Sequence, residues 1–571
     1  MTETRYQLIK GAPLNVIDFG ATGNGVTDDT AAIQAAIDAA GEFAEVRFAP
    51  GTYKVSSALT ITSKDNLTLN GNGCKITQNT TLTKTFHLSN VYNVEVFGFE
   101  LRGKGDETID TSTSFNGVAG IYIADSINVR VHHNFLTNHA GGGIRWMTTG
   151  GGETVCQDIN ISNNTVRGVG TDEIDPLDNT FDAAIGSVDT YDYLDITIKD
   201  NDVSDHCFGI FAAANLAGSY HISDNYVHDI PGQHGIYCNP TNNTDISGNT
   251  VRNCAATGIK VQIRDNALFD DETIENCVVK GNTVINADIH GVEIIGDKDD
   301  NRTFGKTCVV RNNVILELEE AGSRGISLTQ FQGVCEGNTV SDVKGYGIYG
   351  DSVSGQISHN SIEDVDYNGL QLSPKASEVL HVCGNMLIDC VLNSGGLPDT
   401  DSRTKFYAYV TADYSTPTLY CWGNTFKSEA AESADYDNPL RVNPGVTTYA
   451  GPNFNLTGKP YLLNGTNNYV AHGFSETPYQ TRTGAGGIDL ALGVDTIHIE
   501  STGTNALTLL DGADQQKLYL VMTSDGGDAT LTPDNLGNGT TITFDEEGDS
   551  AHLLFTNGNW YFMGGTATVG A

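Results

Sequence analysis

Apolar positions in most of this chain do not follow a helical period. They come as short runs of alternating apolar and polar residues, the signature of strands, and the runs recur. From about residue 128 to residue 424 each repeat carries a turn ending in asparagine, a β-branched run, a spacer, and then Gly-Ile or Gly-Val opening another apolar run. The asparagine falls at Asn134, Asn164, Asn201, Asn225, Asn249, Asn282, Asn313, Asn338, Asn360, Asn385 and Asn424. Its spacing runs from 22 to 39 residues, the range in which solenoids repeat. Strand, asparagine turn, strand, spacer, strand is one coil of a parallel β-helix, and each coil packs only on its neighbours. The expected fold class is all-β: a right-handed parallel β-helix with a capping helix at its N-terminal end and an antiparallel β-sandwich at its C-terminal end.

The alternation also sorts side chains between core and surface. After each glycine, or Ala184 in one coil, the first residue points inward: Ile144, Ile185, Ile210, Ile236, Ile259, Val292, Ile326, Ile348 and Leu370. The next points outward, giving a ladder of Arg145, Gly186, Phe211, Tyr237, Lys260, Glu293, Ser327, Tyr349 and Gln371. A second outward row holds Asn239, Gln262, Thr329 and Asp351, with Arg264 extending the Lys260 and Gln262 series. His234, His290 and Arg324 stand just before their glycines. A solvated face would carry Thr, Ser and Asn. Here aromatic, cationic and carboxylate groups gather on three adjacent coils, so Lys260, Tyr237, Glu293 and His234 are the candidate catalytic residues, in a solvent-open groove. Arg264, His290, Arg324, Arg145, Gln262, Tyr349, Asp182 and Asp205 are the candidate substrate contacts. Asp182 belongs to an acidic insertion over 172–195; Asp205 opens an Asp-His pair beside the same groove.

The two ends differ from the repeats. Near the N-terminus, Ile33, Ala36, Ile37 and Ala40 lie at helical spacing, after Thr27-Asp28-Asp29-Thr30 and before Gly41. Strands are expected over Val46–Phe48, Pro50–Val55 and Leu67–Leu69. The run Val16–Ala39, the phrase Ala49-Pro50-Gly51-Thr52-Tyr53 and the turn Gly71-Asn72-Gly73 resemble the N-terminal signature of the pectate-lyase-like superfamily. That group includes β-helix lyases, polygalacturonase-like hydrolases and bacteriophage tailspike depolymerases. The resemblance spans about residues 14–425 and implies the fold; the aspartate motifs of the polygalacturonases do not recur here. The signature starts by residue 14, so no virion-anchoring domain is expected within this sequence, and attachment would run through a segment outside it or through another component. After Asn424 the repeats stop, residues 428–487 read as an irregular linker, and seven short strands follow from about 488. The stretch Gly526–Thr532 with Gly558-Asn559-Trp560-Tyr561 resembles C-terminal modules of phage tail fibres and spikes, which implies trimer assembly or carbohydrate contact. The expected domains are therefore 1–45, 46–427, 428–487 and 488–571.

Charge and composition narrow the partners. The net charge of −40 argues against nucleic acid and against an anionic membrane surface. No apolar run reaches the length of a membrane span, and no signal peptide is evident. The 11 cysteines are expected in the coil interior rather than in disulfides, and no Cys-x-x-Cys suggests zinc. No cofactor is expected; the acidic insertion is the one place for Ca²⁺, but it lacks the Asp-x-Asp-x-Asp-Gly pattern. The resemblance and the clustered cations together suggest a tailspike-type depolymerase acting on bacterial surface polysaccharide. It would be a homotrimer on a phage tail or baseplate, made in the host cytoplasm. A uronate lyase would use Lys260 or Arg264 to neutralise the carboxylate, His234 or Lys260 as base and Tyr237 as acid. A glycoside hydrolase on the same scaffold would pair Glu293 with another carboxylate, such as Asp351, Asp182 or Asp205. A non-catalytic receptor-binding spike is the third reading.

Overall fold

The computed structural model describes residues 13–571 apart from 80–83, 105–118, 140, 149–154, 169–182, 188–192, 214–217, 240–241, 264–272, 298–301, 391–407, 411–416, 428–439, 443–445, 452, 457–461, 464–466, 471–479, 489–495 and 513. It divides into two compact units, Met1–Gly355 and Gln356–Ala571.

The first unit is a three-sheet parallel coil. Its capping helix runs Thr30–Ala39 and buries Ile33, Ala36 and Ile37, the face given by the sequence spacing. Asp29 is almost wholly buried. Its carboxylate accepts hydrogen bonds from Thr22 N (2.7 Å) and Gly23 N (3.1 Å), so it ties the glycine-rich loop to the helix start. Strands Glu45–Arg47, Thr52–Val55 and Thr68–Asn70 follow, close to the expected positions.

In the coils of Asn201 to Asn338 one strand precedes the asparagine, one follows it, and the third is the Gly-Ile or Gly-Val strand. Around Asn249 these are Thr244–Ser247, Thr250–Cys254 and Ile259–Gln262. Each pairs in parallel with its counterpart one coil on, as in Ile259↔Val292. The inward residues Ile236, Ile259, Val292 and Ile326 are fully buried. The glycine before each is dictated by packing. A Cβ at Gly258 would lie 2.3 Å from Val284 Cγ1, and one at Gly235 would lie 2.3 Å from Val251 Cγ1.

The asparagines stack as expected. Asn225 N and Nδ2 both donate to Asn249 Oδ1 (3.0 and 2.9 Å). Asn249 does the same with Asn282, Asn282 with Asn313, and Asn313 with Asn338. Each amide also reaches a strand carbonyl, as Asn249 Nδ2 does with Ile222 O at 2.8 Å. The preceding residue is left-handed (Asp224 φ 55°, Gly248 φ 67°, Asn312 φ 53°). That conformation favours Gly, Asn and Asp, which explains the recurring pairs Asp-Asn, Gly-Asn and Asn-Asn.

The second unit carries its own asparagine row: Asn360 donates to Asn385, Asn385 to Asn424 and Asn424 to Asn453. The coil therefore continues past the expected end at Asn424, through parallel strands at Thr447–Ala450 and Asn467–Val470. Asn453 is followed by Phe454-Asn455-Leu456 rather than a β-branched run, which hid it from the sequence pattern. Beyond it lie two five-stranded sheets around one core that includes Leu507, Leu520, Leu531, Phe544 and Trp560. Pairing starts in parallel, as in Gln480↔Ile497 and Leu507↔Leu531. It turns antiparallel from Lys517↔Leu554 onwards. The antiparallel sandwich is thus preceded by a few parallel, coil-like strands. All eleven cysteines are buried, as expected of apolar interior positions.

Candidate functional site

The Gly-Ile strands carry the outward ladder in the register read from the sequence. Tyr122, Arg145, Gly186, Phe211, Tyr237, Lys260, Glu293, Ser327 and Tyr349 are successive cross-strand partners. In the second row Gln262, Ile295, Thr329 and Asp351 are partners. The face is less open than expected, since Tyr237 is 3% and Phe211 1% exposed. The Lys260, His290 and Glu293 side chains retain 19%, 11% and 11% exposure.

The middle of the ladder is a compact ionic cluster. Lys260 Nζ lies 3.3 Å from Glu293 Oε2, and His290 Nε2 lies 3.5 Å from Glu293 Oε1. Thr257 Oγ1 donates to Glu293 Oε2 at 3.4 Å. Thr257 N donates to His234 Nδ1 at 3.1 Å. Burial is the main cause that pushes the His234 imidazole down to about 3, helped by Lys260 and His290. Burial also pushes His290 down to about 4, although Glu293 pulls the other way. Both rings are therefore neutral at physiological pH. In the neutral His234 ring, an accepting Nδ1 leaves the proton on Nε2.

An aromatic wall flanks the cluster. The Tyr237 ring stacks on Phe211 (5.1 Å, 7°) and on His234 (5.6 Å, 21°), and its hydroxyl donates to Gln262 Oε1 at 3.3 Å. One coil beyond His290, Arg324 lies over the Tyr349 ring at 3.6 Å. Its Nη1 donates to Ser327 Oγ at 3.1 Å, while its buried Nε makes no hydrogen bond. A guanidine N–H without an acceptor in a protein interior is a group that a bound carboxylate would satisfy.

Several expected roles change. His234 is unsuited as a base, because its Nδ1 is taken by the Thr257 amide and burial leaves it weakly basic. Tyr237 forms a buried wall rather than an open acid. Arg145 is 2% exposed and donates to the carbonyls of Gly186, Gly141 and Ser187 (3.1, 2.7 and 2.8 Å). It braces the coil and cannot contact substrate. Asp205 lies at the turn after the strand Asp202–Ser204, where Ser204 Oγ donates to it at 2.5 Å. It lines a cleft with Asp229, Asn253 and Asp288 and takes no part in the ionic cluster. Arg264 and Asp182 lie outside the described residues.

Two participants escaped the sequence reading, and both precede a glycine. Thr257 joins His234 to Glu293, and Phe208 packs on Phe211, His234 and Tyr237. Extending the row of His234, His290 and Arg324 to every Gly-Ile strand finds both. Among the described residues no group of three or more His, Cys, Asp or Glu side chains is arranged to hold a metal ion.

Comparison with known proteins agrees with this architecture. Residues 14–283 match the model of the rhamnogalacturonase A/epimerase, pectate-lyase-like family, and residues 195–392 match that of the right-handed β-helix region. A 66-residue stretch, 10% of the chain, is 50% identical to mannuronan C5-epimerase AlgE6 of Azotobacter vinelandii, of whose length it covers only 8%. Similar solved structures include an exopolygalacturonase from Thermotoga maritima (13% identity, 67% of this chain and 95% of that one, TM-score 0.39). The Dettilon tailspike protein is 14% identical over 95% of this chain and 78% of its own, with a TM-score of 0.39. The tailspike of E. coli bacteriophage HK620, in complex with pentasaccharide, is 12% identical over 80% of each chain, with a TM-score of 0.43. The two family models together match residues 14–392, and this part of the chain is similar to pectate-lyase-like proteins built on a right-handed β-helix.

Proposed function

We propose that this chain is a polysaccharide lyase that cleaves a uronate-containing glycan by β-elimination at the Lys260–Glu293 pair. The observation that carries this reading is an ion pair on neighbouring rungs (3.3 Å), with the unsatisfied Nε of Arg324 one coil away. Arg324 receives the uronate carboxylate, whose neutralisation makes the C5 proton removable. The Glu293 carboxylate takes that proton, and the C5 electron pair forms the new C4–C5 double bond. The C4–O bond breaks, and the Lys260 ammonium protonates the leaving oxygen. Proton return from the Glu293 carboxyl to the Lys260 amine resets the pair. Thr257 and His290 hold Glu293 in place, while Phe211 and Tyr237 present an apolar wall to the sugar. Burial strengthens these charge interactions relative to water.

A hydrolase would need a second carboxylate beside Glu293; among the described residues of the cluster Glu293 is the single acid, which favours the lyase. The further assignment is a homotrimeric spike of a phage tail acting on bacterial surface polysaccharide. It rests on the resemblance of residues 526–532 and 558–561 to tail-fibre modules. A panel of capsular and exopolysaccharides tests the reaction: a lyase yields ultraviolet absorbance from unsaturated uronate, a hydrolase yields new reducing ends without it, and a binding spike yields neither. Light scattering giving a three-chain mass supports the trimer, and a one-chain mass contradicts it.

A further inference from the structure

Beside the ionic cluster runs a cleft that the lyase reaction does not use. It has a volume of about 390 Å³ and is lined by Ala255, Asp288, Ile289, Glu320 and Ser323, among others. Its frame is backbone: Asp288 N donates to Cys254 O, Ile289 N to Ala256 O, Ser323 N to Glu320 O and Arg324 N to Ile289 O. The side chains are left over. Among the described residues no hydrogen bond or ion pair engages the carboxylates of Asp288 and Glu320, both exposed to solvent, and the Ser323 hydroxyl, in a residue only 2% exposed, has no partner. The Asp288 carboxyl is held above its usual range, first by desolvation and then by the charge of Glu320. The Ser323 hydroxyl is the buried acceptor without a donor, and the two solvent-exposed carboxylates add negative charge to the same cleft lining.

The chemistry of that donor follows from the acceptors. Two carboxylates and one hydroxyl offer three acceptors around one cleft, and a primary ammonium carries three donors and a compensating charge. Among the described residues too few acidic ligands converge for a metal ion, and the repulsion that raises Asp288 disfavours a uronate. The cleft also adjoins the cluster along the chain. Ile289 and Ser323 line it, and the next residues, His290 and Arg324, are cross-strand partners in the cluster. A glycan with its uronate on Arg324 thus has its neighbouring sugar within reach of Asp288, Glu320 and Ser323.

We propose that the Asp288–Glu320–Ser323 cleft is a subsite for an amino sugar bearing a free ammonium, so that the substrate alternates uronate with hexosamine. The location of the neighbouring uronate rests on the lyase reading; the cleft itself is testable by binding alone. The probes are a glucosamine tetramer and its N-acetylated counterpart, titrated calorimetrically into the full chain at a pH where the amines are charged. The wild type is expected to bind the glucosamine tetramer at least about tenfold more tightly, the scale of one charge-assisted hydrogen bond. The double variant Asp288→Asn with Glu320→Gln should lose that preference. Glu546→Gln with Glu547→Gln, the same charge change at exposed positions of the second unit, should keep it. Equal binding of the two tetramers by the wild type overturns the proposal, as does an unchanged preference in the cleft variant or an equal loss in the Glu546/Glu547 variant. Failure to release unsaturated uronate would instead overturn the lyase reading and leave these binding results standing.

Discussion

The coils around Asn249 and Lys260 present two stacked rows built by the same geometry and put to opposite uses. In the asparagine row every buried amide donates to the next amide and to a strand carbonyl, so the row satisfies itself. In the Gly-Ile row the rungs bring together Tyr237, Lys260 and Glu293, and the neighbouring Arg324 keeps a buried donor unpaired. Stacking alone therefore does not mark a site. A row that closes on its own hydrogen bonds stabilises the coil, and a row that leaves polar groups unmet is prepared for a ligand.

That contrast can be broken from either side. Asn249→Ala removes four hydrogen bonds and strands buried groups on both neighbours. It should lower stability by about 3 kcal/mol or more, read as a denaturant midpoint, while turnover per folded molecule is retained. Lys260→Ala should do the reverse: turnover falls at least about 10²-fold, with near-native circular dichroism. Arg324→Gln should lower kcat at least about tenfold, because the charge that makes the C5 proton removable is lost, and should raise KM as well through loss of a charge-assisted contact.

Acid should separate the rows further. Unfolded histidine takes up a proton near 6.5, whereas His290 and His234 do so only near 4 and 3 when folded. Below pH 6.5 the unfolded chain thus holds more protons. Stability is full above that pH and declines as pH falls towards the folded values, by up to about 1.4 kcal/mol per pH unit for each ring. Denaturant midpoints at pH 7 and pH 5 should differ less in His290→Gln than in the wild type. The smallest effect is expected of Gln371→Ala. It loses a bond from Asn368 (2.6 Å) and about 1 kcal/mol of stability, with activity unchanged.

The coil was legible because its causes are local. A left-handed turn demands Gly, Asn or Asp, the close approach of Val284 excludes a Cβ at Gly258, and period-two alternation fixes which residues face out. The ladder from Arg145 to Tyr349 followed from those rules. What each rung does was less legible, because it depends on neighbours distant in sequence. Arg145 and Lys260 occupy equivalent rungs, yet carbonyls of a neighbouring coil enclose the first, while a carboxylate on the next rung meets the second. Solvent exposure was misjudged for the same reason, since alternation gives the direction of Tyr237 and Phe211 but not what packs over them. Asp205 shares a turn position with Asp229 and Asn253, and only the three-dimensional course of the coil separates that turn from the Gly-Ile face.

The most direct test follows ultraviolet absorbance during incubation with a uronate-containing bacterial polysaccharide, comparing wild type, Lys260→Ala and Asp205→Asn. With the chemistry at the Lys260–Glu293 pair, the wild type and Asp205→Asn generate unsaturated uronate at similar rates, and Lys260→Ala is slower by at least about 10²-fold. Full activity in Lys260→Ala with loss in Asp205→Asn would contradict the assignment and move the chemistry to the acidic turn.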